Sequence, residues 1–75
     1  MDREAYEKLA NAVVLSAVKD YRAALKKLKK RPDSKAAMDE AMSVERFFRS
    51  DWFTALTKVE PDYLIEELRK EARAS

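Results

Sequence analysis

Cysteine, histidine and glycine are all missing from this 75-residue chain. Without cysteine it has no disulfide and no thiolate ligand for a metal. Without histidine it lacks the commonest general base and the commonest metal-binding side chain. Without glycine it has no glycine-rich phosphate-cradling loop and lacks most of the hairpin turns that need a positive φ. These absences predict a protein that is not an enzyme and that holds no cofactor and no metal ion.

Long apolar runs are also missing, and the charges nearly cancel. Charged residues make up 40% of the chain, and its formal net charge is +2. No run approaches the ~20 apolar residues that a membrane-spanning helix needs. The acidic start Met-Asp-Arg-Glu does not suit a signal peptide. We therefore expect a cytoplasmic protein without membrane association.

Proline occurs only twice, and each proline predicts a boundary between helices, because the residue before a proline disfavours the helical conformation. The remaining residues are mostly good helix formers, so the sequence predicts an all-α fold in a single domain, residues 1–75. We expect a long helical hairpin followed by two shorter helices. The predicted helices span about residues 2–30, 34–49, 51–58 and 62–73.

The first helix carries apolar residues on two sides. One stripe has heptad-like spacing and suits the second helix as an antiparallel partner: Val14, Val18, Tyr21, Leu25 and Leu28. A second stripe lies beside it: Tyr6, Leu9, Ala10, Val13 and Ala17. Either another subunit or the third and fourth helices cover this second stripe. A chain this short buries only roughly 60% of its unfolded surface, so we expect a homo-oligomeric bundle with an interface over residues 6–18.

The run Glu45-Arg-Phe-Phe-Arg-Ser-Asp-Trp-Phe53 concentrates aromatic and charged side chains, and four of its nine residues are aromatic. Arg46 and Arg49 lie three residues apart and share a helix face. Guanidinium groups suit phosphates, and the nearby Trp52 offers a ring for stacking a base. This pattern predicts a site for an anionic ligand such as a nucleotide. In the alternative interpretation, the arginines pair with Glu45, with Asp51 or with acids of the fourth helix, and the aromatic residues form the core.

Basic residues in the first helix extend this pattern. The antiparallel register places Lys19 and Arg22 near the level of Arg46, so both are further candidates for the anion site. The run Lys26-Lys-Leu-Lys-Lys-Arg31 is the strongest charge feature of the chain. It is typical either of an anion-binding surface or of a solvated helix end that complements the helix dipole.

Several segments together resemble a family of small proteins that phages and prophages of Gram-positive bacteria encode. They are Ala17-Val-Lys-Asp-Tyr-Arg22, Arg31-Pro-Asp-Ser34, Glu45-Arg-Phe-Phe-Arg-Ser-Asp-Trp-Phe53 and Asp62-Tyr-Leu-Ile65. The resemblance covers roughly residues 12 to 70. The family has glycine where this chain has Pro61, so the turn before the fourth helix differs.

The resemblance implies a phage protein in the cytoplasm of a bacterial host and carries no mechanism with it. By analogy with other small phage proteins, we expect a counter-defence factor. Such a factor sequesters a signalling nucleotide as an oligomeric sponge, or blocks a host defence protein. Two other classes stay open: a nucleic-acid-binding accessory or regulatory protein, and a purely structural interaction module. The near-neutral net charge and the lack of a helix-turn-helix pattern weigh against nucleic acid.

Overall fold

A computed structural model describes residues 3–74, apart from the side chains of Arg3 and Tyr6, and contains no strand in that range. The helices are α1 (Arg3–Lys30), α2 (Lys35–Phe48), α3 (Asp51–Leu56) and α4 (Pro61–Ala74). The prediction of an all-α fold with a long first helix is confirmed. Asp2, which the sequence placed in the first helix, lies outside the described residues, as does the Tyr6 side chain of the second stripe.

Local hydrogen bonds fix the helix boundaries. Ser34 and Ser50 cap α2 and α3, since each hydroxyl accepts the N–H three residues later, at 3.3 Å. The α3 helix ends at Leu56, two residues before the predicted end. Thr57 has an extended backbone, and its hydroxyl accepts the N–H of Val59 at 3.3 Å. This local bond competes with a further helical turn.

The core lies where all four helices meet. Its buried side chains are Tyr21, Ala24, Ala41, Phe48, Phe53, Ile65 and Leu68. The first stripe of α1 faces this cluster as predicted, because Val14, Val18, Leu25 and Leu28 pack against it. Tyr21 and Phe48 meet edge to face, with ring centroids 5.6 Å apart, in an arrangement that aromatic rings prefer. Their contact fixes the register of the α1–α2 hairpin.

Helix α4 closes one side of the hairpin. It runs antiparallel to α2, since Asp62 near its start contacts Arg49, and Arg69 further along contacts Glu45. Near the end of α4, the Ala72 carbonyl accepts a hydrogen bond from Lys29. Helix α4 therefore covers the seam between α1 and α2 on one side only, and the opposite side of the seam stays open.

The molecule is elongated because α1 is the longest helix. Its extents are 45 × 22 × 17 Å. At ~1.5 Å per residue, the 28 residues of α1 span ~42 Å and the 14 residues of α2 span ~21 Å. Within residues 3–74, no helix combines the length and the apolar character that crossing a membrane requires.

Candidate functional site

A single carboxylate, that of Glu45, joins three helices. Its Oε2 accepts a hydrogen bond from the Tyr21 hydroxyl at 2.7 Å. Arg69 on α4 donates to both carboxylate oxygens at 3.0 Å, and its Nε reaches the Tyr21 hydroxyl at 3.3 Å. Arg49 adds a third donor to the carboxylate at 3.3 Å. The Glu45 side chain is only 17% exposed, so these donors replace most of its water.

The same contacts set the protonation states of this cluster. Burial opposes the ionisation of Glu45, but the hydrogen bonds from Tyr21 and Arg69 outweigh burial and lower the pKa of Glu45. Burial, and then the hydrogen bond to Glu45, raise the pKa of Tyr21. The hydrogen bonds to Tyr21 and Glu45 raise the pKa of Arg69. Near neutral pH the cluster is thus an ionised carboxylate held by a neutral phenol and guanidinium groups.

Two of the predicted ligand-binding residues are engaged within the fold. Arg49 pairs with Glu45 and with Asp62, each at 3.3 Å. Arg22 pairs with Glu71 at 3.1 Å. Of the two interpretations that the sequence left open, the contacts of Arg49 match the one in which an arginine holds acids of its own protein. The role of Arg69 was not predictable from the sequence, because its partners Tyr21 and Glu45 lie 48 and 24 residues away along the chain.

The other three predicted residues are exposed. Within the described part of the chain, the side chains of Lys19 and Arg46 make no hydrogen bond or ion pair, and Trp52 is 67% exposed. Each α-helical residue turns the chain by ~100°. Lys19 lies two residues before the buried Tyr21 on α1, and Arg46 lies two residues before the buried Phe48 on α2. Two residues turn a helix by ~200°, so each cation points away from the core. Since α1 and α2 pack against each other, the two cations point to opposite outer faces of the hairpin. The structure therefore brings Lys19 to the level of Arg46 without bringing the two charges together.

An open groove follows the side of the hairpin that α4 leaves uncovered. Its volume is about 440 Å³. Its lining comes from α1 (Ala12, Val13, Ser16, Ala17 and Asp20) and from α2 (Ser43, Val44 and Phe47). The α1 wall includes Val13 and Ala17 from the predicted second stripe. Within the α2 wall, Phe47 belongs to the aromatic run, whereas Ser43 and Val44 carry no distinctive motif and were not predicted to line a groove.

The open groove continues onto the part of α1 that extends past α2, which we call the overhang (residues 3–12). Leu9 lies three residues before Ala12 and four before Val13, so it shares their side of the helix. Leu9 is 57% exposed, whereas Ala10, one residue on, is buried at 5%. The fold thus covers Ala10 of the second stripe and leaves Leu9 as apolar surface beside the open groove.

Three further grooves surround the end of the hairpin near the α1–α2 turn, and basic residues line them all. A groove of about 260 Å³ between α1 and α4 is lined by Arg22, Lys26, Lys29, Leu68, Glu71 and Ala72. A second groove between the same two helices has a volume of about 430 Å³ and is lined by Leu25, Leu28, Lys29, Arg69, Ala72 and Arg73. The turn itself holds one of about 240 Å³, lined by Lys27, Lys30, Arg31 and Ser34. Of the five predicted site residues, Arg22 alone lines any of these grooves.

The chain matches no known family model, no curated protein and no solved structure. The fold and its exposed surfaces therefore supply the basis for a functional proposal.

Proposed function

We propose that this chain is a non-enzymatic binding protein that works as a homo-oligomer, with copies associating through the open groove and the overhang. The observation that carries the proposal is the apolar surface of α1 that the four helices leave uncovered. Leu9 is 57% exposed, and Val13 is half-buried in the wall of a groove of about 440 Å³. Contiguous exposed apolar surface of this kind marks protein–protein contact sites.

A second copy suits this surface because it supplies a helix of the right shape. A groove between two packed helices accommodates a third helix through side chains that interdigitate. The overhang is such a helix, and its exposed Leu9 offers an apolar side chain to a groove lined by Val13, Val44 and Phe47. Since each copy has both features, two copies can exchange overhangs and form the same contact twice, as in most symmetric dimers.

The size of the surface also favours self-association. Stable interfaces bury about 800 Å² on each partner, which is roughly one seventh of the 5824 Å² that this chain exposes. The open groove and the overhang together follow α1 from Arg3 to Asp20. That is well over half of a helix ~42 Å long, so the surface has the length that such an interface needs.

Sedimentation and light scattering of the purified protein at micromolar concentration test the assembly. We expect an oligomer for the wild type and a monomer for Val13→Glu, because the new carboxylate would be buried without a partner. Leu9→Gln should weaken the assembly too, and its exposure makes this change harmless to the folded monomer. Met42→Glu is the matched control, since Met42 is exposed and lies outside the open groove. A wild-type monomer would overturn the proposal.

A second candidate function is sequestration of an anionic ligand, such as a signalling nucleotide, in a phage counter-defence role. Arg46 and Trp52 favour it: Arg46 has no acidic partner among residues 3–74, and the Trp52 ring is free to stack. Arg49 and Arg22 already hold acids, and Lys19 lies on the opposite face. A ligand touching all five residues would therefore have to sit between subunits.

Calorimetry with cyclic and linear nucleotides tests this second function. Arg46→Ala should abolish binding and leave the melting temperature nearly unchanged, because the Arg46 side chain makes no hydrogen bond or ion pair within residues 3–74. Arg49→Ala should lower the melting temperature, because it removes the pairs with Glu45 and Asp62. Lys58→Ala, an exposed cation on a loop, is the control. If the wild type binds no nucleotide, nucleotide sequestration is ruled out. The other role that the phage resemblance suggests, the blocking of a host defence protein, would then be the counter-defence hypothesis to test.

A further inference from the structure

The near-neutral total charge hides a strong segregation along α1. Residues 19–31 contain seven basic residues and one acid, a formal charge of +6. The remainder of the chain holds nine basic and thirteen acidic residues, a formal charge of −4, which adds up to the net charge of +2. The basic charge is therefore concentrated on the later part of α1, where its local field exceeds what the total suggests.

Most of this charge is not used by the fold. Arg22 pairs with Glu71, Lys27 lies 3.9 Å from Glu40, and Lys29 donates to the Ala72 carbonyl. Four basic residues of this segment make no ion pair within residues 3–74: Lys19, Lys26, Lys30 and Arg31. We call these four the basic ridge.

The three lysines of the basic ridge are nearly in line. Lys19, Lys26 and Lys30 are spaced by seven and four residues, so they share the side of α1 opposite its buried residues Tyr21 and Ala24. Lys26 also borders the groove between α1 and α4. The distance along the helix axis from Lys19 to Lys30 is ~16 Å, at ~1.5 Å per residue. Arg31 follows the end of the helix and lines the groove at the turn together with Lys30, and the one acid of the segment, Asp20, faces the open groove instead.

We propose that the basic ridge binds the phosphate backbone of a double-stranded nucleic acid without reading its sequence. A row of exposed cations along a rigid helix matches a row of phosphates, and such contacts position a protein without specifying bases. The only aromatic residue of the segment, Tyr21, is buried, so no ring is available to stack unpaired bases. Leu25 and Leu28 face the core, so the ridge lacks the apolar face that a membrane-surface helix needs.

This proposal goes beyond self-association and does not depend on it. The open groove and the overhang occupy the first part of α1, up to Asp20, and the basic ridge occupies its later part on a different side. A monomer that binds nucleic acid, or an oligomer that does not, would separate the two proposals.

Fluorescence anisotropy with a short DNA duplex and a short RNA duplex, over a series of salt concentrations, tests the ridge. Four phosphate contacts predict a slope of about −3.6 for log affinity against log salt on DNA. Lys26→Gln/Lys30→Gln should weaken binding about tenfold at low salt and bring the slope to about −1.8. Glutamine keeps the helix propensity of lysine, so this variant should fold.

The matched control is Lys58→Gln/Lys70→Gln, which removes the same charge from the loop before α4 and from α4 itself, and should leave the affinity nearly unchanged. If both double variants weakened duplex binding equally, the affinity would depend on total charge and not on the basic ridge, and the proposal would be overturned. The absence of binding to either duplex at low salt would also overturn it. Binding to vesicles of anionic phospholipid without binding to a duplex would reassign the ridge to a membrane surface.

Discussion

At the scale of single residues, Glu45 links α2 to two other helices. It accepts hydrogen bonds from Tyr21 on α1, from Arg69 on α4 and from Arg49 just after α2, and its removal leaves Tyr21 and Arg69 without this acceptor. We expect Glu45→Gln to lower the free energy of unfolding by about 1–3 kcal/mol, as for other hydrogen bonds to charged groups. In a domain of this size, each kcal/mol lowers the melting temperature by about 4–8 °C.

Glu40→Gln is the control for this measurement. Glu40 also pairs with a basic residue of α1, but the pair is exposed and its atoms are 3.9 Å apart. Exposed pairs of this kind contribute ~0–1 kcal/mol. If both substitutions lowered the melting temperature equally, the Glu45 cluster would have no special role in stability.

The lowered pKa of Glu45 also predicts how stability depends on pH. A carboxyl group with a lower pKa in the folded state binds fewer protons there than in the unfolded chain. Its stabilising contribution is therefore fully present above the ordinary pKa of 4.5 and is lost as the pH falls through the lowered folded value. Urea titrations should show a constant difference between the wild type and Glu45→Gln near neutral pH, and a shrinking one below pH 4.5. A difference that persists unchanged in strong acid would exclude the carboxylate charge as its source.

At the scale of elements, Ser50 joins two helices. Its hydroxyl donates to the Phe47 carbonyl at the end of α2, at 2.6 Å, and accepts the Phe53 N–H at the start of α3. We expect Ser50→Ala to cost about 1–2 kcal/mol, as the loss of a helix cap does. Thermal melts against Ser43→Ala provide the comparison, because Ser43 is exposed within α2, where alanine is the better helix former. Equal stability of the two variants would contradict the capping role.

The helices were predictable because their signals are local. Heptad spacing in α1, the two prolines and the capping serines all act over a few residues, and the α1 stripe faces the core as expected. The predicted end of α3 lies two residues past the observed one. The hydrogen bond from the Val59 N–H to the Thr57 hydroxyl, which competes with the helix there, has no distinctive sequence pattern. The Tyr21–Glu45–Arg69 cluster was not predictable, because it depends on where α4 packs and joins residues up to 48 positions apart.

At the scale of the whole molecule, α1 carries two surfaces with different chemistry. Its first part combines the apolar overhang with the open groove, and its later part carries the basic ridge. Covering the apolar surface would stabilise the fold, because a domain this small buries little apolar surface by itself. The basic ridge contributes nothing comparable, since its four cations make no ion pair within residues 3–74. The two surfaces should therefore respond differently to protein concentration.

Self-association predicts a melting temperature that rises with protein concentration. Assembly stabilises only the folded chain, so mass action shifts unfolding to higher temperature as the concentration increases. Val13→Glu should melt at the same temperature at every concentration, because it stays monomeric and no assembly equilibrium stabilises its folded state. Met42→Glu should keep the wild-type dependence, and so should Lys26→Gln/Lys30→Gln, which alters only the basic ridge. Differential scanning calorimetry over a wide range of micromolar concentrations makes the comparison, and a wild-type melting temperature that stays constant across it would show that the open groove is not filled by a second copy.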